Sequence, residues 1–179
     1  MKHYEMERIA QMKEIIGEKA DFLIDSRLEK LGKLLASNAD SIRCDLEIAL
    51  NELAADKTDG SLVMSFLRSS YILNSHEFYI ACYEGEPFVE EEPDCTYFSM
   101  KSTFSGIEED FHEMDEELHQ NFIRVFAGEK EEIHRWYMER IYIALESIMQ
   151  MAVEKMQKSK GVNVYYGGYM EEVKIIGSI

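Results

Sequence analysis

Apolar positions along the chain change their spacing three times, from helical to strand-like, back to helical and to strand-like again, and each change predicts a change of element. Over residues 4–36, Ile9, Met12, Ile15 and Ile16 mark a helical stripe, which Phe22, Leu23, Leu28, Leu31, Leu34 and Leu35 resume after Gly17. Gly17 either separates two helices or is a glycine tolerated inside one. Ser37-Asn38 breaks the pattern, and Asp40 or Ser41 is a good N-cap for the next helix. Ile42, Leu46, Ala49, Leu50 and Leu53 then recur at helical spacing to about Ala55. Asp56-Lys-Thr-Asp-Gly60 reads as a polar loop with a turn-forming Asp-Gly.

The next forty residues look different. SLVMSFLRSSYIL (61–73), FYIACYE (78–84) and CTYFSM (95–100) are rich in β-branched and aromatic residues and predict three strands. Asn74-Ser75-His76 suggests a hairpin between the first two, although Leu62, Phe66 and Leu73 also permit a helix over 61–73. Ile107, Phe111, Met114, Leu118, Phe122 and Val125 form one narrow stripe on a helix over 105–127, ended by Gly128.

A second long helix is expected from about Glu129 to Lys158. Glu129, Glu131 and Glu132 near its start and Lys155, Lys158 and Lys160 near its end suit the helix dipole. It is apolar on two sides. Ile133, Tyr137, Ile141, Ala144, Ile148 and Ala152 make one stripe; Met138, Tyr142, Leu145, Met149 and Met156 make its neighbour. Such a helix is central in the core, or it also faces a partner chain, which raises a homodimer. The tail GVNVYYGGYMEEVKIIGSI reads as a hairpin turning at Gly167-Gly168, adding strands to the central sheet or reaching a partner.

These elements predict one α+β domain over 1–179. It has a helical part (1–58), a small antiparallel β-meander (61–101), two long antiparallel helices (105–158) and a C-terminal β-hairpin (162–177). At 179 residues with 46% hydrophobic content, the chain can bury a sizeable core. Cys44, Cys82 and Cys95 form no CxxC pair and imply free thiols in a reducing compartment. The N-terminal MKHYEMERIAQMKEIIGEK is charged throughout and lacks the apolar core of a signal peptide, and no run approaches the ~18 apolar residues of a membrane span. A cytoplasmic protein without membrane contact is expected.

Net charge adds the most to this picture. The formal value is −16, and residues 84–139 alone carry 17 acids against 4 bases. Such a surface repels nucleic-acid phosphates, so direct nucleic-acid binding is excluded. The densest stretch is residues 108–117, seven acids in ten positions. Glu108, Glu109, Asp110, Glu113, Asp115, Glu116 and Glu117 there form a candidate acidic face for a basic protein partner.

The same region contains HEMDEELH (112–119), which resembles a metal-binding pattern. His112 and His119 point the same way on a helix, but seven residues separate them by roughly 10.5 Å, too far to share one ion. Glu116–His119 has ExxH spacing, and Glu131–His134 repeats it on the next helix. Di-iron carboxylate bundles use two such motifs, so Glu116, His119, Glu131 and His134 are the candidate metal residues. All four flank the apolar stripes, which favours a solvated acidic face. No P-loop, GxGxxG or GxSxG occurs. Cys82 reads as a buried thiol, and His76-Glu77 as a turn histidine rather than a catalytic dyad. No cofactor is expected. The expected function is therefore a non-catalytic interaction or regulatory protein, including an inhibitor that mimics nucleic-acid phosphate. A metal-binding enzyme using the paired ExxH motifs is the alternative.

Overall fold

The computed structural model describes residues 2–36, 41–55, 59–89, 92–101, 104–156 and 161–179. Helices α1 (Lys2–Ile15), α2 (Gly17–Ala36) and α3 (Ser41–Leu53) come first. Strand β1 (Ser61–Phe66), a short helix α4 (Arg68–Ile72), β2 (Glu77–Tyr83) and β3 (Asp94–Ser99) follow. Helices α5 (Ile107–Asn121) and α6 (Ala127–Glu154) precede β4 (Asn163–Gly168) and β5 (Val173–Ser178). The α+β class holds, with helices first, a sheet, a long helix and a C-terminal hairpin.

The five strands form one sheet in the order β3-β2-β1-β4-β5. The meander β1-β2-β3 is antiparallel, as its composition implies. The C-terminal hairpin joins it through a parallel β1–β4 pairing, Ser61 opposite Asn163 to Phe66 opposite Gly168, so the whole sheet is mixed. The tail therefore completes the chain's own sheet. In β1 the alternation is hidden because all six residues are buried: Leu62, Met64 and Phe66 join the main core, and Val63 lies in a second cluster on the opposite face.

On the inner face α6 packs against β4 and β5, and α3 against β2 and β3. On its other side α6 meets α1 and α2. Both predicted stripes are thereby used within the chain: Ile133, Tyr137, Ile141 and Ile148 are buried, and so are Met138, Tyr142, Leu145 and Met149. Tyr142 stacks on Phe66 with ring centroids 5.3 Å apart and meets Phe78 edge-on at 5.6 Å. The Tyr166 hydroxyl donates to the Tyr142 carbonyl oxygen at 2.7 Å, tying β4 to the middle of α6. On the outer face Val63, Ala81 and Tyr83 form a second, smaller cluster with Tyr79, Phe88, Tyr165 and Val173 packed against it. Tyr79 stands over it in ring contact with Tyr97 and with Tyr169, while Val63 and Ala81 beneath are buried.

Five expectations need correction. The 61–73 strand stops at Phe66, and residues 68–72 turn into α4; Ser70 O then accepts the N–H groups of Ser75 and His76. Asn74 and His76 adopt left-handed backbone angles (φ 53° and 48°), so the connection is a helical turn with a sharp exit in place of a tight hairpin. The 105–127 helix ends at Asn121, because Phe122 is extended (φ −125°, ψ 130°) while its N–H still bonds Leu118 O. Phe122 and Val125 pack against the core from that extended segment, and Gly128 lies inside the first turn of α6. Gly167 and Gly168 belong to β4, and the turn falls at Tyr169–Met170, where Met170 has φ 58°. Finally, α6 ends at Glu154. Lys158 and Lys160, Ser37 to Asp40 and Asp56 to Thr58 lie outside the described residues.

Gly60 starts the central strand with φ 129°, and a Cβ there would run into the Tyr83 carbonyl oxygen. Gly60→Ala should therefore lower stability by about 1–3 kcal/mol. Gly17→Ala, with no atom within 4 Å of an added Cβ, should change it by no more than about 0.5–1 kcal/mol. Urea unfolding of both variants checks this; equal losses would show that the Gly60 conformation is not required.

Candidate functional site

The acidic helix α5 lies on α1 and α2. Its inward residues are Ile107, Asp110, Met114 and Leu118, so a carboxylate occupies an otherwise apolar stripe. Asp110 is 9% exposed and is satisfied from two helices. Arg27 of α2 donates from Nε to Asp110 Oδ2 at 2.8 Å, with its NH2 nitrogen 2.7 Å away, and the Tyr137 hydroxyl of α6 donates to the same oxygen at 2.7 Å. Arg27 also donates to the carbonyls of Ser105 and Gly106 ahead of α5. Burial, followed by the hydrogen bond to Asp110 and then its charge, pushes the Tyr137 phenol well above its usual range.

Asp115 turns toward α6 as well. It accepts from Lys130 Nζ at 2.8 Å and lies 3.1 Å from His134 Nε2, while the His134 ring stacks on Phe111 at 4.1 Å. Further cations from α1 and α2 reach the acids of α5 and α6. Arg8 pairs with Glu129 at 2.6 Å, Lys13 with Glu132 at 3.6 Å and Lys19 with Glu113 at 2.5 Å. Arg140 of α6 returns the pattern by pairing with Asp21 of α2. Sequence reasoning missed these partners, because it counted charge by segment and the pairs span up to 121 residues. One signal was present: Asp110 falls between Ile107 and Met114 on the apolar stripe, where a lone charge implies a buried partner.

Of the seven residues of the candidate acidic face, Asp110 is thus buried, and Asp115 and Glu117 are half-buried. Glu108, Glu109, Glu113 and Glu116 are exposed. Of these, Glu113 shares Lys19, and Glu116 lies 3.3 Å from His112 Nε2. The ExxH residues are not gathered into a cluster. His119 Nδ1 is 2.6 Å from the Asp115 carbonyl oxygen, His134 is held by Asp115 and Phe111, Glu116 faces His112, and Glu131 is exposed. Among the described residues, no three His, Cys, Asp or Glu side chains are placed to hold an ion together.

His76 is buried at 3% exposure. Its Nε2 lies 2.8 Å from Asn74 Oδ1 and its Nδ1 3.3 Å from the Tyr142 hydroxyl, which fits the Nε2–H tautomer donating to Asn74 and accepting from Tyr142. The ring stacks on Phe104 at 4.4 Å. Both ring nitrogens are thus engaged by residues other than Glu77, and the group locks the α4–β2 connection onto α6. Burial, aided by Lys101 and Arg27, lowers the His76 pKa from its usual 6.5. Cys82 is buried, as its strand position implies, while Cys44 and Cys95 are exposed.

Asp110→Ala leaves Arg27 and Tyr137 without their carboxylate and should cost about 3–5 kcal/mol. Glu113→Ala breaks a largely exposed pair and should cost no more than about 1 kcal/mol. Matching unfolding midpoints for the two would refute the distinction. The His76 shift gives a pH dependence with a definite sign. Below about pH 6.5 the unfolded imidazole takes up a proton that the buried ring resists, so stability is level above that pH and falls beneath it. The denaturation midpoint should drop between about pH 7.5 and about pH 5.5, and His76→Asn, which tolerates the left-handed backbone, should flatten that drop. The chain matches no protein-family model, no curated protein and no solved structure, so its function has to be argued from these side chains alone.

Proposed function

We propose that this protein is a non-catalytic interaction protein that docks a basic protein partner on the outward carboxylates of α5. One observation carries the reading: the helix is pinned from behind by its own inward acids and presents Glu108, Glu109, Glu113 and Glu116 to solvent. Asp110 and Asp115 hold the backbone against α2 and α6, so the outward row is fixed in spacing before a partner arrives. A preorganised row loses little conformational freedom on binding. Glu108 and Glu109 make no ion pair among the described residues, and the excess of 16 negative charges steers cationic surfaces toward the chain. The same row suits the phosphate-binding groove of a nucleic-acid-binding protein, which would make this chain an inhibitor of that protein.

The reading predicts a partner captured at low salt and released at high salt. With that partner in hand, changing Glu108, Glu109, Glu113 and Glu116 together to Gln should slow association about tenfold or more and leave dissociation less affected. If the partner is a nucleic-acid-binding protein, its nucleic acid should compete. Association that is equally fast in the fourfold variant, or indifferent to salt, would sink the proposal.

A further inference from the structure

We propose that the outer face of the sheet is the contact through which two copies of this chain pair face to face. Val63 lies in the outer cluster, and the register carries its side of the sheet to Ala81 and Cys95 in one direction and to Tyr165 and Ile175 in the other. Side chains alternate along a strand, so the remaining outward positions follow. Among these strand residues a single one, Glu77 at the start of β2, is charged. The chain as a whole is 30% charged, with a net charge of −16. Yet the face is not hidden. Tyr97 on edge strand β3 is 61% exposed and Ile175 on edge strand β5 is 62% exposed, and Tyr169 and Met170 in the β4–β5 turn are exposed beside them.

Charge selects the occupant. A two-fold contact sets a surface against itself, so the patch must be complementary to its own copy. An acidic patch is not, because like charges would face each other. The outward row of α5 is of that kind and fits a basic partner instead. The outer sheet face meets its own copy with tyrosines and aliphatic side chains across the middle. Tyrosine gives a large contact area with few torsions to freeze, and aromatic residues are enriched where proteins meet.

The face is also large enough. Its five strands of six or seven residues cover about 24 Å by about 20 Å, at about 4.8 Å between strands and about 3.3 Å per residue. With the relief of its side chains and the flanking turn, that approaches the roughly 800 Å² each partner gives to a stable interface. Two sheets packed this way lie about 10 Å apart, with strand directions within about 30° of each other. The two copies of β1, the central strand, then lie across from each other.

The test is analytical ultracentrifugation of the full chain from micromolar to submillimolar concentration, at about 0.05 M and about 0.5 M salt, since salt screens the repulsion between the two acidic bodies. A dimer should form and be tighter at high salt. That sign is opposite to the salt effect on the α5 row, so the two proposals are told apart in one experiment. Tyr97→Glu combined with Ile175→Glu places unpaired carboxylates inside the contact and should weaken dimerisation at least about tenfold. Both side chains are exposed in the single chain, so its circular dichroism and unfolding midpoint should barely move. Ile143→Glu is the control. Ile143 is also 62% exposed, but it belongs to α6, which packs on the inner face, and its change should leave the dimer as tight as before. A chain that stays monomeric at submillimolar concentration in high salt would overturn the proposal. So would a dimer that loosens with salt, association that continues past the dimer, a dimer that survives the double variant, or one that Ile143→Glu weakens equally. None of these variants alters α5, so failure here leaves the docking row untouched.

Discussion

A helix that is apolar on two sides must be covered on two sides, and α6 sets that demand for the whole molecule. Its neighbours follow from it. The sheet covers one stripe through β4 and β5, and α1 and α2 cover the other. Tyr142 sits where these requirements meet, stacked on Phe66, edge-on to Phe78, near Phe104, and linked by its carbonyl to Tyr166. Strand β4 lies beside β1, parallel to it, and that placement brings Tyr166 there. The long-range pairing is thus enforced by side-chain burial on α6 as much as by the strand ladder.

Charge then decides what the packed helices can present. The acid-rich segment 84–139 looks like a single negative surface when counted along the chain, yet the fold divides it. Asp110 and Asp115 face inward and join α5 to α2 and α6. Glu113, Glu129 and Glu132 meet cations from α1 and α2. Much of the basic content of the first 33 residues is spent on this seam. The carboxylates left facing water are fewer than the composition suggests, and they stand on a helix tied to α2 and α6 through Asp110 and Asp115. A smaller, ordered row is a better recognition surface than a larger, mobile one, because less conformational entropy is lost on contact.

How much of this was legible beforehand depends on the range of the interaction. The stripes of α2, α3, α5 and α6 are local, and their spacing located the helices and most of the core. Element ends were harder. Nothing in Leu118-His119-Gln120-Asn121-Phe122 forbids another helical turn; Phe122 leaves because its ring is buried from an extended backbone instead. The left-handed backbone of His76 is likewise tied to contacts with Tyr142 and Phe104 that lie outside any local window of the sequence. Gly167-Gly168 looked like a turn because glycines commonly are one, whereas β4 needs small residues against the returning strand. The candidate site was half legible for the same reason. The acids could be found, but the cations that claim some of them come from more than 80 residues away.

Burial separates the two kinds of ion pair in this molecule, and the separation has a functional consequence. The Arg27–Asp110 pair is largely shielded, with side chains 14% and 12% exposed. Withdrawing either partner leaves a charge largely shielded from water, so the pair behaves much as part of the core. The Arg68 and Lys174 bridges across the α6–hairpin cleft are made from the same groups at similar distances, yet they stand in solvent. Their partners can be exchanged for another cation with little change in free energy. The same chemistry therefore fastens the fold in one place and leaves carboxylates open to competition in another.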